Sequence, residues 1–110
     1  MVIKLYQTPS GRSPVGEFIL SLTEEDQVKL GVIREDIEKY GLKSQIVVFR
    51  KIQGKLWEIK LSLPSAGVRI AYIAVDSDTM YWLHAFKKKS QKMPQRDREL
   101  ALKRLKEVTL

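Results

Sequence analysis

The fold turns on residues 56–86, "LWEIKLSLPSAGVRIAYIAVDSDTMYWLHAF". Three runs rich in β-branched and aromatic residues, "LWEIKLSL", "VRIAYIAV" and "MYWLHAF", are separated by "PSAG" and "DSDT", both of turn composition. Strands joined by short turns run antiparallel, so the stretch predicts a three-stranded meander. A four-residue loop at Pro64–Gly67 sets Leu63 opposite Val68, Ser62 opposite Arg69 and Lys60 opposite Ala71. In the second hairpin, a two-residue turn at Ser77–Asp78 and a four-residue turn at Asp76–Thr79 give one pairing: Arg69 with Phe86, Ala71 with His84, Ile73 with Trp82. A three-residue loop would instead turn His84 into the core.

Outward from the meander, Val2–Gln7 alternates as a short strand, and Ser13 followed by Pro14 opens a helix that runs to about Leu20. Thr23 with Asp26 forms a capping-box pattern, and Val28, Val32, Ile33, Ile37 and Tyr40 recur at helical spacing up to Gly41. These two helices form a hairpin. Residues 43–55 fit either loop or strand. From Pro94 onward, Ala101, Leu105 and Val108 lie on one side of a helix with Arg98, Lys103, Arg104 and Lys106 elsewhere around it. The expected class is α+β, an antiparallel sheet flanked by an N-terminal helical hairpin and a C-terminal helix, in one domain over residues 1–110.

Composition narrows the function classes. The chain has 110 residues, no cysteine, one histidine and a formal net charge of +7. Disulfides and thiolate metal sites are excluded, and a histidine-based metal cluster has no ligand set, so no metal or cofactor is expected. No apolar run is long enough to span a bilayer, and no secretory signal is readable, which makes the cytoplasm the expected location. The positive charge favours an anionic partner, nucleic acid before an acidic protein or a membrane. It is also unevenly placed: residues 22–40 hold six acids against three bases, whereas nine bases fall within residues 87–106.

Side-chain alternation sorts the meander into two faces. Trp57, Ile59, Leu61, Leu63, Val68, Ile70, Tyr72, Ala74, Tyr81, Leu83 and Ala85 form the face that the helices cover. Glu58, Lys60, Ser62, Arg69, Ala71, Ile73, Trp82, His84, Phe86 and Lys88 form the other. Cations and flat rings together suit a single-stranded nucleic acid, because lysine and arginine neutralise phosphates and aromatic rings accept stacked bases. Trp82 and Phe86 are the stacking candidates, and Lys87, Lys89 and Lys92 extend the charge past the strand end. Each residue also has a plainer reading: the lysine run as a solvated terminus, Arg69 as the partner of Glu58, and His84 as a structural histidine.

The segments "LWEIKL", "VRIAYI" and "WLHAFKKKSQKMP", followed by "ELALKRLKE", resemble the HigB-type branch of the RelE/ParE toxin superfamily over roughly residues 55–107. The resemblance implies a RelE-like α+β fold and a metal-independent endoribonuclease that cuts mRNA on the translating ribosome. It also implies a small helix-turn-helix, HigA-like antitoxin as partner, with oligomerisation through that complex. Arg69 in "VRIAY" matches the family's strand arginine and Phe86–Lys88 its "F-x-K-K" segment, and Lys60 and His84 are carried over with them. The implied chemistry is attack of a ribose 2′-OH on the adjacent phosphate, which needs a base, charge stabilisation and an acid. Arg69 takes charge stabilisation and Lys88 phosphate binding; base and acid stay open between Lys60 and His84. Related toxins often carry a tyrosine or histidine near the C-terminus, and "KEVTL" has neither. The same residues also suit a non-catalytic nucleic-acid-binding module, and the superfamily includes ParE-like gyrase inhibitors. For the ribonuclease, Arg69→Ala is expected to abolish cutting while the fold survives.

Overall fold

A computed structural model describes residues 1–109. Its elements are β1 (Val2–Leu5), α1 (Pro14–Leu20), α2 (Glu24–Tyr40), a single 3-10 turn (Gly41–Lys43), β2 (Val48–Gln53), β3 (Leu56–Ser62), β4 (Gly67–Ala74), β5 (Thr79–Lys87) and α3 (Gln95–Thr109). The expected α+β class holds. Both N-terminal helices begin where the capping residues place them. The Ser13 hydroxyl accepts from the Gly16 amide and the Thr23 hydroxyl from the Asp26 amide. Gly41 ends α2 at φ 60°, a backbone conformation that side-chain-bearing residues seldom adopt.

The sheet order is β1-β5-β4-β3-β2. The meander β3-β4-β5 is antiparallel, and residues 48–53 join it as a further antiparallel strand through a turn at Gly54. β1 pairs parallel with β5, so the sheet is mixed at one edge rather than wholly antiparallel. These two strands are far apart in sequence, and no short turn constrains their relative sense.

Both hairpin registers differ from the sequence-based pairing. In the first, Leu63 and Ala66 exchange main-chain hydrogen bonds around a two-residue turn, Pro64–Ser65, which sets Lys60 opposite Arg69 and Glu58 opposite Ala71. The shift is two residues, so every side chain keeps its face. In the second, the Val75 amide donates to the Thr79 carbonyl, leaving a three-residue loop, Asp76–Asp78, closed by the Asp76 carboxylate accepting from the Asp78 amide. Tyr72 therefore faces Trp82 and Ile73 faces Tyr81. A bulge at Leu83 then restores the expected pairs Ala71–His84 and Arg69–Phe86. The odd loop turns Trp82 inward, and the bulge returns His84 to the opposite face.

Helices cover both faces of the sheet. Val15 of α1 and Leu30, Ile33 and Ile37 of α2 pack with Ile59, Val68, Ile70, Tyr72, Met80 and Trp82. On the other face, Ala101 of α3 and Met93 pack with Leu56, Ala71, Ile73 and Leu83, joined by Leu102, Leu105 and Val108. The second face is thus a second core rather than an open sheet surface. Along α2 the periodic residues divide: Ile33 and Ile37 are buried, whereas Val28, Val32 and Tyr40 are exposed. Asp26 takes a buried place because its carboxylate accepts from the Ser65 amide at 2.9 Å. No helix among the described residues is long and apolar enough to cross a membrane.

Candidate nucleic-acid interface

Two rows of side chains cross the α3-facing side of the sheet. Lys60, Arg69 and Phe86 are successive cross-strand partners, and Arg50, Glu58, Ala71 and His84 form the next row. Arg69 is only 1% exposed. Its Nη2 donates to the carbonyls of Ser90 and Gln91 at 2.8 and 2.5 Å, so the segment after β5 roofs it. Its Nη1 lies 3.6 Å from Glu58 Oε1, an oxygen that also lies 3.5 Å from Arg50 Nε. Arg69 therefore meets Glu58 beneath a covering loop.

His84 is partly buried between β5 and α3. Its Nε2 lies 2.7 Å from Asp97 Oδ1, and its Nδ1 lies 3.5 Å from Arg104 Nη1, which donates to the Leu83 carbonyl. A carboxylate only accepts, so this network places the ring proton on Nε2. The ring stacks on Phe86, centroids 5.4 Å apart and planes 24° from parallel. Arg104 in turn lies over the Tyr6 ring, whose hydroxyl donates to Glu107.

The imidazole pKa is lowered, chiefly by burial; hydrogen bonding and attraction to Asp97 raise it, and Arg104 lowers it further. The unfolded chain consequently takes up the proton more readily than the folded one. The stability tied to His84 is complete above its ordinary value of 6.5 and is lost as the pH falls through the folded value. Melting curves between pH 5 and pH 8 should flatten in this window in His84→Gln. By NMR titration, Asp97→Asn should lower the His84 midpoint further, because it removes the group that opposes burial. A raised midpoint would contradict this assignment.

Beside His84 a cleft of about 450 Å³ is lined by Phe18, His84, Phe86, Lys87, Lys89, Arg96 and Asp97, among others. It follows β5 beyond the last β1 pair, Leu5 with Trp82. Four of the sequence-predicted residues meet there: His84, Phe86, Lys87 and Lys89. Lys88 and Lys92 are exposed nearby in the chain, Lys88 held by its amide donating to the Gly67 carbonyl at 2.9 Å. Lys60 is half-buried and lines a separate groove with α2. Trp82 is 0% exposed in the core under α1 and α2, so it offers no face to a base. Arg96 and Asp97 of the cleft, with Arg104 behind it, escaped the sequence reading as site residues, whereas Glu58 is the partner that the plainer reading gave Arg69. Only an acid in the first turn of α3 hinted at Asp97, and its contact with His84 is tertiary.

Residues 17–106 match the model of the family described as "Phage derived protein Gp49-like (DUF891)". The chain belongs to this Gp49-like family. The Gp49-like match begins within α1, ends within α3 and so spans the meander and the whole cleft. The family is phage-derived and of the RelE/HigB-like toxin kind. No curated protein matches the chain significantly.

Proposed function

We propose that the chain is the HigB-type toxin of a type II toxin–antitoxin pair, a ribosome-dependent endoribonuclease that cuts mRNA in the cytoplasm. The observation that carries this reading is the convergence of Phe86 and His84 with Lys87, Lys89 and Arg96 around one cleft. The cations suit phosphates and the stacked ring pair suits an unpaired base. The chemistry needs no cofactor: the 2′-OH attacks the adjacent phosphate, a base takes the hydroxyl proton and an acid protonates the departing 5′-oxygen. A helix-turn-helix, HigA-like antitoxin is the partner that would hold the toxin inactive.

The deciding experiment is primer extension on mRNA from cells producing the chain alone. Cuts within translated frames together with growth arrest support the reading. Normal growth at verified expression would sink it. Addition of EDTA to a purified cleavage assay with a pre-formed ribosomal complex should test metal independence, provided the magnesium of the ribosome is held constant by back-titration.

A second reading, binding without cleavage, is favoured by the engagement of both His84 nitrogens. It predicts RNA retention with no cut. Under both readings, neutralising Lys87, Lys89 and Lys92 together should weaken RNA binding. The slope of log affinity against log salt should fall by roughly 0.7 to 0.9 for each lost phosphate contact. An unchanged salt dependence would make the lysine run only a solvated strand end.

A further inference from the structure

The segment Lys88–Met93 is a strap across Arg69. Its first residue is tied to the sheet by the Lys88 amide on the Gly67 carbonyl, and its last, Met93, is buried in the α3-side core. Between these anchors every side chain is exposed, and the Ser90 hydroxyl closes the strap on itself by donating to the Lys92 carbonyl at 2.7 Å. The strap touches Arg69 with main-chain oxygens, those of Ser90 and Gln91, both on Nη2. Arg69 Nε and Nη1 are buried and have no hydrogen-bond partner among the described residues. Burying such donors unpaired is costly, and a guanidinium has a planar fork matched to two anionic oxygens.

We propose that Arg69 is a latent phosphodiester site, occupied by the Ser90 and Gln91 carbonyls until a bound nucleic acid displaces the strap. The inference rests on the nucleic-acid reading above and adds its gating. Three features support it. The strap carbonyls, neutral acceptors, both sit on Nη2, which leaves Nε without a hydrogen-bond partner and Nη1 with only the 3.6 Å ion pair to Glu58. Glu58 does not neutralise the site alone, since two guanidiniums, Arg50 and Arg69, share its carboxylate and Lys60 is the next residue in Arg69's row. Finally, Lys89 and Lys92 flank the two carbonyls, so a polyanion drawn to them pulls the strap outward. The exposed strap side chains bury nothing that would resist this movement.

The test uses the full chain and a 2′-O-methyl RNA hexanucleotide, which binds but cannot be cut by 2′-OH attack. In the free protein, NMR cross-peaks should connect the Arg69 guanidinium protons with the Ser90–Gln91 backbone. At saturation these should disappear while the Arg69 Nε–H resonance shifts. The double substitution Ser90→Gly with Gln91→Gly favours the displaced strap and should tighten the hexanucleotide Kd by roughly three- to tenfold. In an Arg69→Lys background, which keeps a cation beside Glu58, that gain should vanish. Binding with the strap cross-peaks intact, or no binding at all, overturns the proposal. Cleavage of unmodified mRNA in a translating extract is scored separately. Cleavage with a shut strap removes the gate alone, and an opening strap without cleavage removes the ribonuclease reading alone.

Discussion

Alanine at position 69 should lower stability by about 3–5 kcal/mol, because it strands the fully buried Glu58 carboxylate without its buried partner. Domains of this size are stable by roughly 5–15 kcal/mol, so the loss is a large share of the total. At about 4 °C per kcal/mol the melting temperature should fall by about 12–20 °C. Arg50 also approaches Glu58, but its side chain is 43% exposed and it retains water as an alternative. Adding Glu58→Gln to Arg69→Ala should therefore recover part of the loss, and the apolar pair Glu58→Leu with Arg69→Met most of it. Thermal and urea unfolding check this. A loss below about 1 kcal/mol for Arg69→Ala would mean that the pair is not desolvated. The expectation that the fold survives this substitution untouched does not fit a buried ion pair. Abolished cutting in Arg69→Ala alone would not identify a catalytic role, whereas a stable apolar-pair variant that fails to cut would.

Trp82→Ala should cost about 3–5 kcal/mol, the range for emptying a buried aromatic site. The ring lies against Met80, with its Nε1 3.3 Å from the Met80 sulfur and the Arg34 guanidinium 5.6 Å from its centroid. Its position makes a spectroscopic prediction as well. In a Trp57→Phe background the remaining emission should be blue-shifted and protected from iodide. In Trp82→Phe the signal of Trp57, 36% exposed, should be quenched. RNA affinity should be unchanged in Trp82→Phe, whereas Phe86→Ala should weaken it by roughly 1–3 kcal/mol if one base stacks there. Equal losses in the two variants would return Trp82 to the binding surface.

Much of the fold is legible because it rests on local chemistry. Ser13–Pro14 and Thr23 start helices, Gly41 stops one, and the alternating runs around "PSAG" form a hairpin whatever surrounds them. Local patterns also bring Phe86, Lys87 and Lys89 to one strand end beside His84, the chemically distinctive part of the cleft.

Three matters were decided only by tertiary structure. Trp82 faces the core because the second loop has three residues, and His84 keeps its expected side only because a bulge at Leu83 compensates. A one-residue change reverses every side chain beyond it, and turn composition does not count residues that finely. That the second sheet face is covered rather than open depended on the docking of α3, whose apolar side covers Ala71, Ile73 and Leu83 and brings Asp97 to His84. The state of Arg69 depended on a strap with no periodicity of its own. Alternation places an arginine on a face, but whether that face holds solvent, a carboxylate or a pair of main-chain carbonyls depends on segments distant in sequence. Their positions follow from packing the whole chain.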